Sequence, residues 1–226
     1  MRFDEALSLY FRSALPVLRA TYNWDFKLKN LPDKTYLPSG DSSYSRSRDV
    51  RDYIHSAISS GSQFSRDLQI WYVRDWGRVR RNKQETLEFY IESPEEELFS
   101  LGARGVASWS KILSVRNPSR YAIFDARVSI ALNSLQYKFE VEDPVLFPQL
   151  PSQNKSFVAG AQAAIKKSKF FSLDAGNSFY QHYLEILKEC VRCDKSMDIQ
   201  DAEMVLFSNA PDLSKVWDLN LDSNAS

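Results

Sequence analysis

A mainly helical fold is what this sequence predicts. Glycine is scarce, at 7 of 226 residues. Alternating strand patterns are sparse, and apolar residues recur at helical spacing along much of the chain. Hydrophobic residues make up 43% and aromatics 13%, enough apolar side chain for a packed interior, which excludes a globally disordered chain. The length suits one large domain or two small lobes sharing a core. We expect one compact helical domain over 1–218, built of two interleaved lobes, and a flexible tail over 219–226.

Lys+Arg and Asp+Glu both number 29. That neutrality argues against a protein that coats polyanions over its whole surface, and leaves room for a local basic face. The two cysteines, Cys190 and Cys193, make no disulfide framework, which reads as a reducing cytoplasm. Their C-x2-C spacing has no second pair, so no metal site is expected. The opening MRFDEALSLYF has early acids and no long apolar run. It reads as neither a signal peptide nor a membrane span, so no membrane partner is expected.

Taken in order, Phe3, Leu7, Tyr10, Phe11, Ala14 and Leu18 space out an amphipathic helix over 3–19. Pro16 ends or kinks it. Residues 23–47 hold Pro32, Pro38, Gly40 and a serine cluster and read as loop, either an exposed connection or a DNA-facing arm. A helix over 47–59 turns Val50, Ile54, Ala57 and Ile58 inward, and His55 falls off that stripe. Ser65 caps another, with Leu68, Ile70, Trp71, Val73 and Trp76 as its apolar set. Arg74, Arg78, Arg80, Arg81 and Lys83 follow, opposed only by Asp75. They are either a solvated helix end or, interleaved with Trp71, Tyr72 and Trp76, a grip on phosphates. Residues 84–91 read as helical, and Ser93-Pro94 with Glu95, Glu96 and Glu97 as the next helix start.

The stretch 101–135 organises the rest. Gly102 and Gly105 permit a tight turn whose uncovered N–H groups can meet an anion. A helix over 106–116 puts Val106, Trp109, Ile112 and Leu113 on its core face and Lys111 off it. Asn117-Pro118 stops it. Residues 121–124 are a short apolar run, extended and buried. Asp125 then opens a helix whose stripe is Val128, Ala131, Leu132 and Leu135. As N-cap, Asp125 accepts backbone N–H groups and complements the helix dipole, which favours its ionised form. Such an anion also suits cleavage of an N-glycosidic bond, where positive charge develops on the sugar. Cap alone, or cap and catalyst together, are both open on spacing.

Residues 102–132 resemble the helix-hairpin-helix core of the base-excision DNA glycosylase superfamily: a Gly-bearing hairpin, a helix, a Pro-bearing loop and an essential aspartate opening the next helix. NPSRYAIFDARVSIALN is the most specific part, and DWGRVRRN around Trp76 is also similar to bacterial members. The resemblance implies a helical two-lobed glycosylase-like fold, with the hairpin and catalytic region at 98–135. It gives Asp125 the essential-aspartate role. It implies DNA contacts by Gly102, Arg104, Gly105, Arg74, Arg78, Arg80, Arg81 and Arg127, and a base pocket with Trp76 and Trp109. The hairpin departs from the family's Leu-Pro-Gly-Val-Gly, and Arg104 is a substitute positive charge. The nucleophilic lysine of bifunctional relatives has no counterpart in Glu96-Glu97-Leu98-Phe99-Ser100. Lys111 comes after the hairpin, as a candidate catalytic, pocket or phosphate-contacting residue. The implied activity is therefore monofunctional excision of a modified base from double-stranded DNA. No cofactor is implied beyond a monovalent cation at the hairpin, and no obligate protein partner. The base is an oxidised or alkylated one in repair, or a hypermodified phage cytosine such as glucosylated hydroxymethylcytosine in phage defence. A roomy polar pocket favours the latter; a narrow apolar slot opposes it. A non-catalytic DNA-binding module and a helical protein-interaction domain are the competing readings.

After that stretch, 137–151 reads as an irregular connection whose Phe139 and Phe147 are placed to line the base pocket. Helices follow over 159–167, 177–191 and 198–209. Lys166, Lys167 and Lys169 form a second basic cluster. His182 reads as surface or interhelical and Glu203 as surface, with Glu203 the less favoured candidate for a second carboxylate at the site.

Overall fold

A computed structural model describes residues 1–166, 171–172 and 179–220. Lys167 and Lys169, the two residues expected to begin the helix at 177, and most of the tail lie outside the described residues.

Among the described residues eleven α-helices carry the chain: α1 Phe3–Ala14, α2 Leu18–Thr21, α3 Ser43–Ser59, α4 Ser65–Trp71, α5 Gln84–Glu92, α6 Glu95–Ser100, α7 Val106–Arg116, α8 Ala126–Lys138, α9 Lys155–Lys166, α10 Phe179–Cys193 and α11 Ile199–Leu213. The mainly helical fold is as expected. Two short strands, β1 Val145–Leu146 and β2 Phe171–Ser172, pair in parallel. No described helix is long and apolar enough to cross a membrane.

Local chemistry explains the boundaries. Pro16 converts the end of the first helix into a 3-10 turn over Leu15–Val17 before α2 resumes. The serine cluster expected to be loop starts α3 four residues early. Ser42 accepts the Ser45 N–H, and the Ser45 hydroxyl accepts the Ser42 N–H at 3.1 Å, a reciprocal cap. After α4 the chain widens into a π-helical turn, Tyr72–Trp76, a form that concentrates at functional places.

The apolar residues gather in two clusters. The larger joins α1, α7, α8, α10 and α11. The smaller is formed by α3, α4, the π-helical turn and the 22–42 arm, whose Phe26 and Leu31 are buried in it. That arm is therefore anchored, not a free connection. Helices α7, α8 and α11 run between neighbours on several sides and are buried almost all round. Phe147 packs in the larger cluster between Phe3 and Phe124 and lines no base pocket, which corrects that expectation.

The extended run 121–124 is buried without a sheet to satisfy its backbone. Side chains do so instead. Tyr180 and Tyr183 of α10 donate to the carbonyls of Ala122 (2.8 Å) and Ile123 (3.0 Å). The Ser110 hydroxyl of α7 accepts the Phe124 N–H at 3.0 Å. The segment leading to Asp125 is thus pinned on two sides.

Candidate active site

Asp125 caps α8 as the sequence predicts. Its Oδ1 accepts the N–H groups of Arg127 (2.9 Å) and Val128 (3.1 Å). Among the described residues Oδ2 makes no hydrogen bond. The carboxylate faces a small pocket lined by Tyr22, Trp24, Trp76, Gly77, Lys111, Ile123, Asp125, Glu203 and Phe207. Tyr22 and Phe207 belong to the larger hydrophobic cluster, Trp76 and Ile123 to the smaller, so the pocket sits on the seam between them.

Two charged side chains join Asp125 there: Lys111, for which the pocket was one of the candidate places, and Glu203, for which the surface was the favoured one. Lys111 is only 3% exposed. It does not lie on a solvated face, because α7 is covered on that side as well. Its Nζ donates to the Ala107 carbonyl at 2.8 Å. Gly77 makes room for it: a Cβ there would lie 2.6 Å from Lys111 Cε and 2.8 Å from the Val73 carbonyl oxygen. Burial pushes the Lys111 pKa below the ordinary lysine value, against the pull of Asp125 and Glu203. Glu203, expected at the surface, is 1% exposed. Its Oε2 accepts Arg51 Nη1 at 2.6 Å, and Arg51 is itself fully buried and hydrogen-bonded to Gln200. Burial raises the Glu203 pKa, and Arg51 opposes that rise. The result is a quartet balanced in sign, half-buried Asp125 and buried Glu203 against buried Lys111 and Arg51. Behind it Arg51 Nε, Arg51 Nη2 and Trp76 Nε1 are buried without hydrogen-bond partners.

The pocket is nearly closed. It offers about 20 Å³ to a water-sized sphere, room for roughly one water molecule. Trp24 and Phe207 stand edge-on at 5.3 Å, and Trp24 Nε1 donates to the Trp76 carbonyl at 3.1 Å. Arg127 lies over the Phe207 ring at 4.4 Å and Arg78 over the Trp24 ring at 4.4 Å. Arg78 also donates to the Asp25 carbonyl at 2.6 Å. A separate groove of about 1010 Å³ runs between the 22–42 arm and the arginine segment, lined by Lys27, Lys29, Arg74, Arg78 and Arg80, with Asp25, Asp67 and Asp75 opposing them.

Several expected site residues fall elsewhere. Trp109 is fully buried against Phe99 and Tyr180 and lines no pocket, because its face of α7 turns into the larger cluster; this corrects the base-pocket assignment. Trp76 does line the pocket. Gly102 and Gly105 both take positive φ, 56° and 72°, and form the turn between α6 and α7. The Gly102 N–H donates to Phe99 O at 3.0 Å, so Gly102 shapes the turn and offers no free donor. Arg104 and Arg81 are exposed. Arg74 donates to the Asn82 carbonyl at 3.2 Å. Among the described residues no group of three His, Cys, Asp or Glu side chains is placed to hold a metal ion.

Arg51, Tyr22, Trp24, Gly77 and Phe207 carry no site assignment from sequence, and Glu203 only the less favoured one of a second carboxylate. Two carried a signal. Glu203 sits four residues after Ile199 and three before Leu206, on the apolar stripe of its helix. Arg51 sits likewise three before Ile54. A charge on an apolar stripe announces a buried, paired group. No family model, curated protein or solved structure matches the chain.

Proposed function

We propose that this chain is a DNA glycosylase that flips a base out of duplex DNA and hydrolyses its N-glycosidic bond, leaving an abasic site. The observation that carries the reading is Asp125. One carboxylate oxygen is fixed by the α8 cap, and the other is left for an aromatic-lined pocket on a cluster seam. A carboxylate held on a rigid element can face the positive charge that grows on the sugar and orient the attacking water. The resemblance of 102–132 to helix-hairpin-helix glycosylases supports the same reading, as does the helix, glycine turn and helix ahead of Asp125. Arg78 and Arg127 at the mouth, with Lys27, Lys29, Arg74 and Arg80 along the groove, are the proposed phosphate contacts.

The closed pocket is narrow and aromatic, which speaks against a bulky modified base in this conformation. Entry of any base requires Trp24 or Phe207 to swing aside. The groove lined by Lys27, Lys29 and the arginine segment is then where a substituent such as the sugar of glucosylated hydroxymethylcytosine would lie. Repair of a small modified base needs only the pocket.

The test is abasic-site formation on a panel of duplexes: unmodified, oxidised, alkylated and phage DNA carrying glucosylated hydroxymethylcytosine. Asn caps a helix as well as Asp does, so Asp125→Asn keeps the fold and removes the charge. Excision by that variant is expected to fall about 10²-fold or more. Abasic sites on none of the DNAs, or equal rates for both proteins, would sink the enzymatic reading. Salt-dependent DNA binding with no excision would instead point to a non-catalytic module.

A further inference from the structure

We infer that Lys111 is the proton donor to the departing base, and that the base excised is an uncharged one, which leaves as a neutral molecule only after taking a proton. This rests on the glycosylase reading above. Lys111 lines the same pocket as Asp125. Of its three N–H groups one is engaged, by the Ala107 carbonyl. The glycine at position 77 is what lets its chain lie where it does. The ionisable groups around it are Asp125 at the start of α8, Glu203 from α11, Arg51 from α3 and Tyr22 from the arm. Glu203 is the poorer donor of the two candidates, because its Oε2 is held by Arg51 at 2.6 Å.

The step balances as follows. The C1′–N bond breaks and its electron pair goes to the base, which takes a proton from Lys111 Nζ. The water oxygen bonds to C1′, and its proton passes to the Asp125 carboxylate. Transfer of that proton from Asp125 to the neutral Lys111 amine restores both groups. An alkylated base with a fixed positive charge already departs as a neutral molecule and needs no donor. The four charges of the site, Lys111 included, sum to zero, so the site offers a cationic base no net attraction.

The ammonium form is the donor and exists below the Lys111 pKa. Burial lowers that pKa, so the rate must fall with rising pH before the ordinary lysine range is reached. The experiment is single-turnover abasic-site formation across pH, using the best uncharged-base duplex from the panel and a dimethyl-sulfate-treated duplex carrying 7-methylguanine. Wild type should show the alkaline fall and be slow on 7-methylguanine. Lys111→Gln should be slower by about 10²- to 10⁴-fold on the uncharged base, lack the fall, and be no slower than wild type on 7-methylguanine. An alkaline fall that persists in Lys111→Gln overturns the assignment. So does a wild-type preference for 7-methylguanine. A borohydride-trapped DNA adduct lost in Lys111→Gln would make Lys111 a nucleophile instead. The wild-type pH profile and the trapping need no variant to fold. If no duplex yields abasic sites, the glycosylase reading itself fails; if sites form without the fall, only the role of Lys111 fails.

Discussion

At the residue scale the buried ion pair is the most exposed assumption of the site. Arg51 and Glu203 are both essentially inaccessible, with 2.6 Å between Nη1 and Oε2. Removing one partner strands the other charge, at a cost of about 3–5 kcal/mol. Arg51→Met is therefore expected to destabilise the protein by that amount near neutral pH, and Arg51→Met with Glu203→Leu to recover most of it. The pH dependence has a definite sign. The Glu203 pKa is already raised by burial with Arg51 present, and losing Arg51 raises it further. The protonated carboxyl is the form that burial tolerates, so the deficit of Arg51→Met is smallest below the wild-type folded value, grows as pH rises from there to the variant's higher value, and levels off above it. Urea denaturation of wild type and Arg51→Met at pH 5 and pH 8 checks this; an equal deficit at both would show that Glu203 does not change its charge between them. Little of this pair was legible beforehand. Periodicity marks which face a residue occupies, but it does not say whether a neighbouring helix covers that face.

At the element scale, the helix, glycine turn and helix before Asp125 were legible almost to the residue. α7 begins at Val106 and ends at Arg116, where Gly105 and Asn117-Pro118 delimit it. Gly105 is irreplaceable for two reasons. Its φ of 72° is left-handed, and a Cβ would lie 2.0 Å from Tyr90 Oη and 2.9 Å from Tyr90 Cζ. Gly105→Ala is expected to cost about 2–4 kcal/mol, from left-handed strain and overpacking together. A calorimetric melting shift of less than a degree would show that neither the left-handed strain nor the Tyr90 contact carries this cost. Helix starts were less legible where serines compete. Ser42 and Ser45 cap α3 mutually, yet Ser-rich text reads equally as loop, because the same hydroxyls serve turns and caps alike.

At the scale of the whole molecule, polar ties hold the two clusters together. Arg48 of α3 reaches Asp198, the cap of α11, at 2.7 Å, and Tyr44 donates to Asp201 at 2.6 Å. Arg51 to Glu203 runs parallel to them. The smaller cluster should then open together with the larger in wild type. In Tyr44→Phe with Arg48→Met, amides of α3 and α4 should exchange hydrogen faster while those of α8 and α10 hold their rates, read by mass spectrometry. Unchanged exchange in α3 and α4 would mean that apolar contact alone couples the clusters.

By itself the sequence determined the helical class, the glycine turn, the extended run 121–124 and the cap at Asp125. Each rests on chemistry local to a few neighbouring residues: periodicity, proline, glycine and capping. Only the tertiary structure decided what Asp125 faces. Residues far apart in the chain, Tyr22, Arg51, Trp76, Lys111 and Glu203, converge because α3, α7 and α11 pack across the seam. It also decided that Phe147 is core, that Trp109 stays within its core face and reaches no base pocket, and that Lys111 is buried. A local pattern shows that a side chain belongs to a face; burial and partnership depend on which other helix lies against that face, and only packing sets that.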